Sequence, residues 1–135
     1  MDKTRILIVD DDPLLSLLVQ KMLENTGNYD TSVENRPFHA LTSARSFKPD
    51  LVLLDVDMPG KDGGEIVGEM RKDAFLKGVP VIFLTALVSK HDAGHRQATA
   101  HEQFLAKPAD LGILVAAIEE TLIRTGARKP YHERN

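Results

Sequence analysis

Pro49-Asp50-Leu51-Val52-Leu53-Leu54-Asp55-Val56-Asp57-Met58-Pro59-Gly60 carries the clearest structural signal in the chain. Leu51 to Leu54 run without a polar break into a carboxylate, and a Met-Pro-Gly turn follows almost at once. A short apolar run without alternation, framed by Pro and Gly, reads as a strand buried on both faces. Asp55 then stands at the carboxyl end of that strand, where open parallel sheets form their ligand crevice. A charge is costly to bury there, so Asp55 requires partners from elsewhere in the chain.

The same pattern recurs on either side. Ile6-Leu7-Ile8-Val9 is a second apolar run and ends in Asp10-Asp11-Asp12-Pro13. Val79-Pro80-Val81-Ile82-Phe83-Leu84-Thr85-Ala86 is a third, with Pro80 tolerable near its start. Tyr29 to Glu34 alternates weakly and suits an edge strand, and Gln103 to Ala106 is a short strand leading to Lys107-Pro108. Helical patterns fill the gaps. Asp12 is a good N-cap and Pro13 a good first residue for a helix that carries Leu14, Leu15, Leu18, Val19, Met22 and Leu23 and stops at Gly27. Pro37 opens a second, with Phe38, Leu41 and Ala44 on one face. Asp62 caps a third with Ile66, Val67 and Met70, which Gly63, Gly64 and Gly68 weaken. Residues 88–100 form a weakly patterned fourth, and Leu111, Leu114, Val115, Ile118 and Leu122 mark a fifth, with Ile113, Ala116 and Ala117 off its core stripe. Five strands alternating with five helices predict an α/β fold, a doubly wound five-stranded parallel sheet of order 2-1-3-4-5, flavodoxin-like (βα)5. In that order strands one and three are neighbours, so Asp10, Asp11 and Asp55 share one sheet edge.

A chain of 135 residues is one domain's worth, read as a folded domain over 1–124 and a polar tail or linker start over 125–135. The net charge of −3 gives no sign of a nucleic-acid or membrane surface. The absence of cysteine excludes disulfides and thiolate metal sites. No apolar run approaches the roughly 18 residues of a spanning helix, and the chain enters a strand at once rather than a secretory signal. A small cytoplasmic domain is the expectation.

Carboxylates that meet at one crevice repel one another. Two charges ~4 Å apart interact by about 4 kcal/mol at an effective dielectric near 20. Either one carboxylate stays protonated or a cation neutralises the group. With only oxygen ligands on offer, a hard cation that keeps several waters is favoured, hence Mg2+. Strand four adds the hydroxyl of Thr85, and strand five delivers the ammonium of Lys107 to the same edge. A carboxylate nucleophile, a divalent ion, a hydroxyl and a lysine match the needs of phosphoryl transfer to an aspartate. His91, His95 and His101 invite a metal reading, since His91 and His95 stand four apart on the expected fourth helix, but isolated histidine pairs are common on exposed helices and do not establish a metal site.

Ile-Leu-Ile-Val-Asp-Asp-Asp-Pro, Leu-Val-Leu-Leu-Asp-Val-Asp-Met-Pro-Gly-Lys-Asp-Gly, Val-Ile-Phe-Leu-Thr-Ala and Phe-Leu-Ala-Lys-Pro, in this order, resemble the receiver domain of two-component response regulators over about residues 4 to 124. The resemblance implies that Asp55 accepts a phosphoryl group from a sensor histidine kinase or a histidine phosphotransfer protein. It implies that Asp11 binds Mg2+ directly, Asp10 mainly through water, and Asp57 through its backbone carbonyl. Thr85 and Lys107 would bond the phosphoryl group, and Phe104 would be the switch aromatic, conveying the change to the face of the fourth helix, fifth strand and fifth helix. It also implies a cis Lys107–Pro108 bond. The output would be a downstream protein target or a missing effector domain. The arginine-rich ending of the DNA-binding subfamily's last helix is absent, so direct nucleic-acid contact is not expected. The chemistry would be self-catalysed phosphoryl acceptance and autodephosphorylation, not turnover of a separate substrate. Two departures from the family pattern, the extra carboxylate of Asp57 and the apolar Leu87, bear on phosphoryl lifetime. Two rival readings remain open: an aspartyl-phosphate phosphatase of haloacid-dehalogenase type, since Leu-Leu-Asp-Val-Asp resembles its nucleophile loop, and a phosphorylation-independent binding module.

Overall fold

The computed structural model describes residues 3–85, 101–107 and 110–127. Strands β1 (Thr4–Val9), β2 (Tyr29–Glu34), β3 (Leu51–Asp55), β4 (Val81–Thr85) and β5 (Glu102–Ala106) form one sheet in the order β2-β1-β3-β4-β5. All four pairings are parallel, with Val9 opposite Leu54 and Asp55 opposite Leu84. The sheet order is the one the sequence predicts. Helices α1 (Pro13–Glu24), α2 (Ala40–Phe47), α3 (Gly63–Arg71) and α4 (Leu111–Arg124) accompany it. The expected helix over 88–100, with His91, His95 and the neighbouring Leu87, lies outside the described residues, as do Pro108 with its peptide bond and the end of the tail.

The central strands are apolar without alternation because each of their faces has its own core. On one side Ile6, Ile8, Leu51, Leu53, Ile82 and Leu84 meet Val19 and Leu23 of α1 and Leu114, Ile118 and Leu122 of α4. On the other, Leu7, Val9, Val52, Leu54, Val81 and Phe83 meet Ala40 and Ala44 of α2 and Ile66, Val67 and Met70 of α3. Every side chain from Leu51 to Leu54 is essentially removed from water, worth about 1.5–3 kcal/mol each relative to exposure. This two-sided burial holds the carboxyl ends of β1 and β3 in fixed register.

Helix starts follow the sequence reading. Asp12 Oδ1 accepts from the backbone N–H of Leu14 and Leu15 at 3.0 and 3.2 Å, and Asp62 Oδ1 from that of Glu65 at 2.9 Å. Three faces differ from it. Leu14 and Leu18 are 77% and 55% exposed, while Ser16 is fully buried, so α1 turns a different stripe to the sheet. Pro37–His39 is a single 3-10 turn before α2, which swings Phe38 out of the core to 67% exposure. Ala117 belongs to the buried face of α4, whereas Ile113 and Ala116 are exposed.

Candidate functional site

The sheet order brings the ends of four strands together. Asp10 follows β1 and Asp55 closes β3, each almost fully buried. Thr85 closes β4, also buried, and Lys107 follows β5. The Lys107 N–H donates to the Thr85 carbonyl at 2.7 Å, which ties the β4 and β5 ends to each other. From there the Lys107 ammonium reaches back across the edge, 3.0 Å from Asp10 Oδ2 and 3.1 Å from Asp55 Oδ1. One carboxylate oxygen each from Asp10, Asp11 and Asp55 lies within 4.8 Å of the others. The Asp57 N–H donates to Asp55 Oδ1 at 3.2 Å, and the residue itself is exposed at the rim.

These positions set the charge balance. Burial pushes the Asp55 carboxyl up to about 6; a hydrogen bond and attraction from Lys107 oppose this, while repulsion from Asp10 and a hydrogen bond shared with Asp11 add to it. Burial alone would depress the Lys107 ammonium, but bonding and attraction to Asp10 and Asp55 carry its pKa above the ordinary lysine value. Among the described residues, three carboxylates therefore face one ammonium. The donor set is all hard oxygen, it is short of positive charge, and its oxygens are close enough to share one ion. It fits a divalent cation of the Mg2+ type.

Phe104, on β5, stacks on Phe83 of β4 with ring centroids 4.8 Å apart and planes 17° from parallel. Two residues that the sequence reading passed over shape the site. Gly63, read there as a weak helix former, lets the start of α3 lie against the end of β3: a Cβ at this position would sit 2.8 Å from the Asp55 carbonyl oxygen. Asn35 donates to the carbonyl of Asp10 at 2.7 Å. A glycine just inside a capped helix next to the Asp55 motif was a usable signal for the first; nothing in the spacing marked the second.

An acidic crevice at the carboxyl edge of a 2-1-3-4-5 parallel sheet, with a lysine delivered from the fifth strand, is the arrangement expected of a receiver domain. Residues 6–119 match the response regulator receiver domain family, and the chain belongs to it. It is 36% identical over 121 residues to protein PilH of Pseudomonas aeruginosa, covering 90% of this chain and 93% of that protein. It is equally 36% identical over 122 residues to the DNA-binding response regulator MtrA of Mycolicibacterium smegmatis, covering 90% of this chain but only 52% of MtrA. The chain thus spans about half the length of its MtrA relatives. Among solved structures it is similar to the chemotaxis protein CheY4 of Vibrio cholerae, with a TM-score of 0.79 and 26% identity over 90% of this chain and 100% of that one. The signal receiver domain of a signal transduction histidine kinase from Syntrophus aciditrophicus gives a TM-score of 0.76 at 28% identity, covering 98% of each chain. Neither rival reading, the haloacid-dehalogenase phosphatase or the phosphorylation-independent module, is favoured by these matches.

Proposed function

We propose that Asp55 is the phosphoryl acceptor of this receiver domain, charged by a sensor histidine kinase or a histidine phosphotransfer protein, with Mg2+ bound beside it. The observation that carries this reading is the meeting of Asp10, Asp11 and Asp55 within 4.8 Å under the Lys107 ammonium. A carboxyl that titrates near 6 is largely ionised at neutral pH and available as a nucleophile. An Asp55 oxygen attacks the phosphorus of the phosphohistidine. The new O–P bond forms as the P–N bond breaks, and the electron pair leaves with the imidazole, which takes a proton from solvent. Asp10, Asp11, Asp55 and the backbone carbonyl of Asp57 would hold the Mg2+, which when bound supplies positive charge against the carboxylates and phosphoryl oxygens. Lys107, already on Asp55 Oδ1, is set to pair with the phosphoryl group, and the Thr85 hydroxyl to donate to one of its oxygens.

Support for the switch comes from the β4–β5 ladder: Phe83 is paired with Phe104 and Thr85 with Ala106, so a shift at Thr85 loads the strand that carries Phe104. We assign the readout to the face of β5 and the C-terminal helix α4, together with the expected helix over 88–100 that lies outside the described residues, acting on a downstream protein or a separate effector domain without direct nucleic-acid contact. Residues 1–124 are the receiver and 125–135 a tail or linker start, and the chemistry is self-acceptance and autodephosphorylation rather than turnover of a substrate. No described helix is long and apolar enough to cross a membrane, which is compatible with a cytoplasmic setting.

The test is labelling with acetyl phosphate followed by intact-mass measurement. The parent should gain one hydroxylamine-sensitive phosphoryl group in Mg2+ and none in excess chelator, and Asp55→Asn should gain none. Equal labelling of the variant overturns the assignment.

A further inference from the structure

Asn35, the residue after the edge strand β2, holds none of the roles assigned above, yet its contacts converge on the acidic loop. Its Nδ2 donates to the Asp10 carbonyl at 2.7 Å and to Ser16 Oγ at 2.9 Å. A backbone carbonyl only accepts, so the amide nitrogen rather than its oxygen faces Asp10. Ser16, fully buried, in turn donates to the Asp12 carbonyl at 3.0 Å. One residue before Asn35, the Glu34 carbonyl accepts the Asp10 N–H at 3.1 Å. Glu34 is 8% exposed, and its carboxylate is held by the Arg36 N–H at 2.9 Å and by the Ser43 hydroxyl, which fixes the connection between β2 and α2.

Asp10 is consequently gripped at every polar atom. Glu34 takes its N–H, Asn35 its carbonyl, the Asp12 N–H its Oδ1 at 2.9 Å and Lys107 its Oδ2. Of these grips, only the Asn35 bond acts on the peptide plane that leads into Asp11. Rotation of that plane swings the Asp11 carboxylate toward or away from Asp55, and a cation needs both within reach of one point. A side chain that ligates nothing therefore sets the ligand geometry.

We propose that Asn35 is a positioning residue for the cation site: by holding the Asp10–Asp11 peptide it keeps the Asp11 carboxylate aimed at Asp55. This rests on the cation reading above. The test is calorimetric titration of the full chain with Mg2+ for the parent, Asn35→Leu, Asn35→Asp and Asp11→Asn, with melting in chelator as the check on folding. Asn35→Leu keeps the shape and removes the donor; its Mg2+ affinity should fall about tenfold, the order seen when a group that orients a metal ligand is removed. Asn35→Asp should also bind more weakly. Charge alone predicts the opposite, because an added carboxylate attracts a cation. Should Asn35→Leu fail to melt cooperatively, Asn35→Ala removes the donor without added bulk. Parent-like affinity in the Asn35 variants, or tighter binding by Asn35→Asp, alongside a weakened Asp11→Asn overturns the positioning role. Unchanged affinity in Asp11→Asn instead removes the cation reading itself, and the positioning role with it.

Discussion

Asp55→Asn is expected to stabilise the cation-free protein above pH 6 even as it removes the proposed phosphoryl acceptor. The Asp55 carboxyl is 5% exposed, and its pKa rises from the usual 3.8 to about 6, mainly through burial, with Asp10 and Asp11 adding to the rise and Lys107 opposing it. An upward shift means that the folded state holds this proton more tightly than the unfolded chain does. The contribution is fully present below about pH 3.8, where both states are protonated, and is lost as the pH rises through about 6. At 1.36 kcal/mol per unit, the shift from 3.8 to about 6 corresponds to about 3 kcal/mol at most. Solvent screening, and loss of the Lys107 contact in the variant, bring the expected gain to about 1–2 kcal/mol. Urea unfolding in chelator between pH 4.5 and 8, as roughly two-state transitions, reads it directly. The gap between the two proteins should be smallest at the acid end and should widen as the pH rises to about 6. Added Mg2+ should then close the gap, because an ion that binds only the parent's folded state stabilises only the parent. A variant that is less stable than the parent at pH 8, or a gap that does not change with pH, contradicts burial as the cause of the raised Asp55 pKa.

Lys107→Met keeps the stem and removes the ammonium that lies 3.0 Å from Asp10 and 3.1 Å from Asp55. Stripping one partner from a buried pair costs about 3–5 kcal/mol, but Asp55 can take up a proton instead, so a loss of about 2 kcal/mol is expected at pH 7.5 in chelator, shrinking below pH 5. Urea midpoints check it; an equal loss at both pH values contradicts the charge account. Gly63→Ala and Gly68→Ala form a matched pair within α3. The first puts a Cβ 2.8 Å from the Asp55 carbonyl and 3.3 Å from Val56 Cα, backbone that cannot yield, and should cost about 2 kcal/mol; the second meets nothing within 4 Å and should gain about 0.5–1 kcal/mol in helix propensity. Melting temperatures that move in the same direction for both count against it.

How far the sequence could be read depended on whether a residue's role leaves a pattern. Leu51 to Leu54 and Ile6 to Val9 are buried on both faces, so their unbroken apolar runs identified the central strands and, through them, the sheet order. Asp10, Asp55, Thr85 and Lys107 were legible because each is the polar residue that ends or follows such a run. The buried stripe of α1 was not. Leucines at 14, 15, 17 and 18 cover most of the first two turns, so periodicity cannot choose among them. The choice falls on a position where Ser16 can bond the Asp12 carbonyl and receive Asn35. Phe38 misled in a similar way: the Pro37 turn is 3-10, and the tighter winding rotates the ring outward, over Gly60 and within 5.6 Å of the Lys61 ammonium. Asn35 left no trace at all, since a bond from a side chain to a distant main chain follows no period.

The position of the Asp55 pKa reflects a compromise among the same few neighbours. Without Lys107, burial and the facing carboxylates would push the Asp55 carboxyl higher still, and a carboxylic acid is a poor nucleophile. With the lysine's influence unopposed, the carboxylate would be fully paired and the edge would have little call for a further cation. Asp10 prevents this by sharing the ammonium, which sits almost equally far from both carboxylates at 3.0 and 3.1 Å. Asp55 is thereby left incompletely neutralised, and with Asp10 and Asp11 it forms an all-oxygen cluster that could hold a hard cation. The sharing is possible because β1 and β3 are neighbours and β5 lies two strands beyond β3, so that a long side chain is needed to cross and its charged end alone enters the crevice.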